Sequence, residues 1–194
     1  MTEGSPGAPT RRDAARNRER LVAAARQVLA RQGPDVPLEE ISAAAGVSRT
    51  TLHRHFPTRE DLATAVLEQN VADIEAHAAD LAGDAHGAEA LFHHLLDIQR
   101  DAPWLARVVA RQQGSGVGHL ARRTADALDP LVRLARRHGR THPGVTTDDV
   151  LAALPMAMAA QAAAEHQGAD GDPRRWGQGR TILHRGLFTT PPPG

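Results

Sequence analysis

Cysteine is absent from the 194 residues, which removes disulfides, thiolate metal sites and cysteine nucleophiles and points to a reducing cytoplasm. Lysine is absent as well: all 23 basic residues are arginine, a bias that a GC-rich genome produces without any functional demand. Aromatic residues make up only 3% of the chain, and β-branched residues rarely come in runs, so sheets lack their usual fillers. No stretch of about 18 apolar residues is available to cross a bilayer, and MTEGSPGAPT lacks the charged-then-apolar order of a signal peptide. No membrane partner is therefore expected. Paired carboxylates, a nucleophile elbow and a cofactor loop are all missing; GSGVGH at 114–119 has no preceding strand. Neither enzyme activity nor a cofactor is expected. The eleven histidines are scattered without a recognised ligand spacing, so no metal site is expected either.

What is present is alanine and helical periodicity, and the prediction is an all-α fold of about nine helices. Residues 1–13 read as a disordered arm ending in Arg11 and Arg12, which could enter a minor groove. A first helix carries Leu21, Val22, Ala25, Val28 and Leu29 to the Gly33-Pro34 stop. Pro37 opens a short second helix through Leu38, Ile41 and Ala45, ended by Gly46. Ser48 is a good N-cap for a third short helix carrying Leu52 and Phe56, and Pro57 stops it. Thr58 with Asp61 forms a capping box that opens a long fourth helix. A fifth follows the 83–87 break, a sixth starts at Pro103, a seventh runs from about His119 to Arg137 with Pro130 inside, an eighth from Asp148 to His166 with Pro155 inside, and a ninth from Pro173. Net charge is zero, but Met1–Glu60 holds ten Arg against seven acids and the remainder thirteen against sixteen. The positive end is at the front, where a phosphate-binding surface needs it.

The second and third helices, joined by a tight glycine turn and preceded by a longer helix, have the helix-turn-helix form. Ala44 and Ala45 permit close approach, Gly46 accepts a positive φ, and Val47, Leu52 and Phe56 fill the space between helices. Arg49, Thr50, Thr51, His53, Arg54 and His55 are then left outside, with no acid among them.

The segment PLEEISAAAGVSRTTLHRHFPTREDL, residues 37–62, resembles the signature of the TetR family of regulators at Ile41, Ala45-Gly46-Val47-Ser48, Leu52, Phe56 and Arg59. The resemblance implies that Arg49 and Thr50 read base edges and that Thr51, His53, His55 and Arg59 hold phosphates, with Ser48, Arg54, Arg11 and Arg12 as further DNA candidates. Three positions depart from the pattern. His53 replaces a common Tyr, so operator affinity is expected to rise on acidification. Ser42 replaces Ala, harmlessly if it points outward. Pro37 replaces a Thr cap.

The resemblance further implies a head at 14–60, a ligand-binding and dimerisation domain at 61–189 and a tail at 190–194. Leu91, Phe92, His94, Leu95, Trp104, Val108 and Met156 are the pocket candidates, His94 at the border of the apolar face and His93 further round toward solvent. Ala153, Ala157, Ala160, Ala164, Trp176, Leu183 and Leu187 are the candidates for a four-helix homodimer interface. The implied function is a repressor that binds a near-palindromic operator as a dimer and is released by a small apolar or amphipathic effector. A corepressor-dependent or activating regulator is the alternative, and a helical enzyme or interaction protein a remote one.

Overall fold

The computed structural model describes residues 11–33, 35–102, 104, 118–166 and 173–192. Among them are eight helices: α1 (Arg11–Gln32), α2 (Leu38–Ala44), α3 (Arg49–His55), α4 (Arg59–Asp80), α5 (Gly87–Asp101), α6 (Gly118–Arg137), α7 (Thr147–His166) and α8 (Pro173–Leu187). The only extended pairing among the described residues is an isolated antiparallel bridge between Thr141 and Phe188, so the fold is all-α. The expected helix from Pro103 through Val109 lies outside the described residues, apart from Trp104, which is buried. The chain divides into two compact units, one ending at Gln69 and the other beginning at Asn70, so the division falls inside α4.

In the N-terminal unit α1 buries Leu21, Val22, Ala24, Ala25 and Leu29, and Ile41, Leu52, Phe56, Leu62 and Val66 are almost wholly enclosed. Each such side chain contributes about 1.5 to 3 kcal/mol on leaving water, which is what holds two seven-residue helices too short to persist alone. Caps set their ends. Ser48 is the N-cap of α3, its Oγ accepting from the Thr51 N–H at 3.2 Å. At the start of α4 the Thr58 N–H donates to Asp61 Oδ2 at 3.0 Å, and the Asp61 N–H donates to Thr58 Oγ1 at 3.0 Å, a reciprocal box with Asp in the usual Glu place. Gly46 takes φ +63 in the α2–α3 turn, and a Cβ there would fall 2.7 Å from Arg20 Nη2. That guanidinium donates to the Gly46 carbonyl at 3.3 Å, tying α1 to the turn.

Several expectations for this unit are corrected. Arg11 to Asp13 are the first turn of α1 and not the end of an arm; Asp13 suits the positive end of the helix dipole, and the Ala- and Arg-rich segment after it propagates well. Residues 1–10 of the expected arm lie outside the described residues. Pro37 is the N-cap of α2, with φ −58 and ψ 138, and not its first turn. Ser42 points inward, buried at 5% exposure, because its hydroxyl can donate to the Glu39 carbonyl at 2.9 Å and so carries no unpaired donor into the core. Ala44 is exposed, leaving Ala45 as the residue that allows close approach.

The C-terminal unit has a core of Leu91, Phe92, Leu95 and Leu96 from α5, Leu128, Leu131 and Val132 from α6, and Val150, Ala153, Leu154 and Ala157 from α7, closed by Phe188. α7 opens on a second Thr-x-x-Asp box, the Thr146 N–H donating to Asp149 Oδ2 at 2.8 Å. Both Pro130 and Pro155 lie inside continuous helices. Each is exposed, so water can satisfy the carbonyl that loses its partner. The exit of α8 is clasped to the α6–α7 loop: the His142 N–H donates to the Leu187 carbonyl and the Thr189 N–H to the Arg140 carbonyl, each at 3.0 Å. Among the described residues no helix is long and apolar enough to cross a membrane.

Candidate nucleic-acid interface

Burial of Leu52 and Phe56 fixes the rotation of α3 and turns its polar side chains outward. Arg49, Thr50 and Arg54 are exposed; Thr51, His53 and His55 are half-buried, as is Arg59 at the first position of α4. The helix carries no acid. Its leading arginine nevertheless has an acidic neighbour: Arg49 Nη1 lies 3.0 Å from Glu39 Oε1 of α2, and its Nε donates to His53 Nε2 at 3.4 Å. The pair is largely solvent-exposed and therefore weak. Arg49 is held in place without being immobilised.

The structure sorts the remaining candidates. Ser48 Oγ and Thr51 Oγ1 lie 2.9 Å apart, so both hydroxyls take part in the cap. His55 fits a phosphate role poorly. Its Nε2 is buried without a partner, and burial, reinforced by Arg54 and then Arg18, holds the imidazole below its ordinary pKa, so it supplies no charge at neutral pH. Arg18 lies 5.4 Å over the Phe56 ring and 3.7 Å from Glu68, a cation beside α3 that the periodicity of α1 does not single out. Arg11 and Arg12 are exposed in the first turn of α1.

In the C-terminal unit the pocket candidates separate. Leu91, Phe92 and Leu95 are packed into the core. Met156 is 61% exposed on α7, because the buried face of that helix is carried by Val150, Ala153, Leu154 and Ala157. His94 is half-buried, with its ring 4.5 Å from that of His77; burial first, then His77, lowers its pKa. Val108 lies outside the described residues. A cavity of about 630 Å³ lies between α4 and α6 and is lined by other residues, among them Glu75, Ala78, Ala82, Arg123, Leu131 and Leu134. Arg123 grips the Glu75 carboxylate with two hydrogen bonds of 2.7 and 2.6 Å.

The dimer candidates separate in the same way. Ala153, Ala157 and Leu187 are buried within their own unit, and Trp176 and Leu183 pack against its core; only Ala160 points outward, and the side chain of Ala164 lies outside the described residues. The outward faces are different ones. On α7 Ala152, Met156, Ala159 and Ala160 are exposed at i, i+4, i+7 and i+8. On α8 Ile182 is 68% exposed, between Gly179 and Gly186, where an added Cβ would meet nothing within 4 Å.

A buried polar cluster was missed altogether. His93 is 7% exposed and not turned toward solvent, and His184 of α8 is fully buried. Arg180 Nε donates to His93 Nδ1 at 2.7 Å, and its Nη1 donates to Asp97 at 3.0 Å. His93 Nε2 and His184 Nδ1 are 2.9 Å apart, and His184 Nε2 lies 2.8 Å from the Thr190 carbonyl oxygen. Since Arg180 can only donate, His93 Nδ1 must accept; Nε2 then carries the proton and donates to His184 Nδ1, which leaves His184 Nε2–H for Thr190. Burial, together with Arg180 and His184, pushes His93 down to about 4. Thr190, read from sequence as tail, also donates its hydroxyl to Glu89 Oε2 at 2.7 Å. The only sequence signal was Glu89 and His93 at i, i+4; their partners lie some 90 residues away.

Residues 21–66 match the bacterial regulatory proteins of the tetR family. The HTH-type transcriptional repressor LfrR of Mycolicibacterium smegmatis is 38% identical over 87 residues, 44% of this chain and 45% of that repressor, so the chain spans about half the length of the curated relative it matches. A TetR transcription regulatory protein from Mycobacterium vanbaalenii has a crystal structure that aligns with TM-score 0.63 and 26% identity, over 80% of this chain and 97% of that one. A gamma-butyrolactone receptor described as ArpA-like shares the fold, with TM-score 0.57 and 24% identity over 91% of each chain. With the capped helix-turn-helix inside the matched segment and an all-α fold that persists well beyond it, the N-terminal segment matches the helix-turn-helix of the tetR family and the described fold is similar to that of TetR regulators.

Proposed function

We propose that the chain works in the cytoplasm as a dimeric repressor that sets two copies of α3 into successive major grooves of a near-palindromic operator and is released by a small apolar or amphipathic effector. The observation that carries this reading is α3 itself: two apolar anchors lock it against α1 and α2, and Arg49, Thr50 and Arg54 stand exposed on a helix with no acid. Arg49 and Thr50 read base edges, while His53 and Arg59 hold phosphates.

The dimer forms through Met156 and Ile182 and the small residues around them. Large apolar side chains on flat, glycine- and alanine-lined helix faces suit a close two-fold helix packing. The effector enters the groove between α4 and α6, whose Ala and Leu lining takes an apolar body while the Glu75–Arg123 pair offers a polar handle. Binding is tested by fluorescence anisotropy on DNA from upstream of the chain's own gene, across a salt series. Affinity should fall steeply with salt, Arg59→Ala should lower the slope, and Arg49→Ala should blur base preference by about 1 to 3 kcal/mol. Equal binding by the wild type and both variants, on specific and random DNA alike, overturns the reading.

A further inference from the structure

We propose that Glu89, His93 and His184 form a binding site for a zinc-class divalent metal ion in the C-terminal unit. One ligand atom from each of the three residues lies within 4.8 Å of the others. Two imidazoles and one carboxylate are a donor set suited to zinc, cobalt or nickel and poorly suited to magnesium or calcium, which prefer oxygen alone. In a tetrahedral site with bonds of about 2.0 to 2.1 Å, ligand atoms sit roughly 3.3 Å apart. The two imidazole nitrogens, now 2.9 Å apart, need open only by a few tenths of an ångström. Glu89 Oε1, 4.0 Å from His184 Nδ1, closes by less than about 1 Å. The fourth position is left to water.

His184 is already oriented as a ligand. Its Nε2–H is bound to the Thr190 carbonyl, the arrangement that fixes ring and tautomer in most metal-bound histidines, and its Nδ1 lone pair points at the cluster. His93 has one change to make. Its proton sits on Nε2 and must move to Nδ1 before Nε2 can bind an ion, and Arg180 Nε, itself a donor, stands 2.7 Å from Nδ1. Two donors cannot share that line, so ligation expels Arg180. Asp97, four residues along α5 and now paired with Arg180 Nη1, is left to accept the new Nδ1–H. The ion therefore replaces a guanidinium: a divalent charge enters beside Glu89 and Asp97 as a monovalent one leaves, and the imidazole proton moves between nitrogens without being lost. Since Glu89 and His93 lie on α5, His184 on α8 and Thr190 beyond it, loading joins three segments and frees an arginine on α8.

The test uses untagged full-length protein, stripped with chelator and titrated with cobalt(II) and then zinc(II) at neutral pH, and it does not depend on DNA binding. One cobalt per chain should bind with the visible absorption of a four-coordinate centre, and zinc should bleach it. Glu89→Gln, which keeps an acceptor for Thr190, should weaken binding by about tenfold or more. Arg180→Gln should strengthen it, because the competing cation is gone; a purely structural network gives no such gain. His93→Gln should abolish the absorption, with circular dichroism reporting whether the chain still folds. Cobalt that stays six-coordinate, or binding unchanged in Glu89→Gln and Arg180→Gln because other histidines capture the metal, overturns the site.

Discussion

The two units handle their polar groups in opposite ways. The N-terminal unit keeps its cations at the surface and uses short-range hydrogen bonds to set helix ends: Ser48 with Thr51, Thr58 with Asp61, Ser42 with Glu39. The C-terminal unit buries two histidines and bridges them to Arg180, Asp97 and Thr190 across as many as 91 residues of sequence. A surface that meets phosphates must stay hydrated until its ligand arrives. A buried network has no such freedom, because every donor needs a partner in the folded chain.

The widest break between the units comes from their cores. Phe92→Ala empties a site with 0% exposure and should cost about 3 to 5 kcal/mol. Both tryptophans, Trp104 and Trp176, lie in the C-terminal unit, so a denaturant titration followed by their fluorescence reads that loss directly. Leu52→Ala, at about 2 to 5 kcal/mol, should leave the tryptophan transition in place and abolish DNA binding. A shift in that transition equal to the Phe92 effect would mean that the units do not unfold separately. A smaller step compares two glycines with nearly the same φ. Gly46→Ala meets both the +63 backbone and Arg20, whereas Gly139→Ala meets only a +65 backbone with open space beyond. Both should destabilise by about 1 kcal/mol from conformation, and Gly46→Ala should lose more because the Arg20 bond to its carbonyl is displaced.

The same contrast governs what could be read in advance. Ser48, the Thr58–Asp61 box and the Gly46 turn were legible because the whole interaction fits within four residues. The inward turn of Ser42 was not, since nothing in the sequence says which face of a seven-residue helix is covered. Arg11 and Arg12 were assigned to an arm because glycine and proline precede them, yet helix propagation through the alanines after Asp13 reached back further than composition suggested. Alanine was the least informative residue of all: Ala153 and Ala157 belong to the core and Ala152 and Ala159 to the surface, and spacing alone fits either face of α7. The exposure of Met156 on the same helix was hidden for that reason. His93 with His184 escaped every assignment, being a pairing that only tertiary structure makes.

Arg49 sharpens the comparison by a few-fold in affinity. In the free protein it is paired with Glu39 at 3.0 Å, and in the proposed base-reading role a base edge must take it from that carboxylate. Glu39→Gln should therefore tighten operator binding by roughly two- to fivefold at low salt, the range expected of an exposed pair worth up to about 1 kcal/mol, and the gain should fade as salt screens it. Anisotropy on wild type and variant at two ionic strengths measures both. An unchanged or weakened affinity would show that Glu39 positions Arg49 for DNA and does not compete with it.

His55 gives the smallest effect and the clearest sign. Its pKa in the fold is lowered, by burial first and then by Arg54 and Arg18, so the unfolded chain takes up the proton sooner as pH falls. The contribution of neutral His55 is fully present above the unfolded value of about 6.5 and is lost as pH drops through the lower folded value. Hydrogen exchange at the Leu52 and Phe56 amides, which α3 shields, should accelerate more between pH 7 and pH 5 than intrinsic chemistry allows, and His55→Gln should flatten that trend.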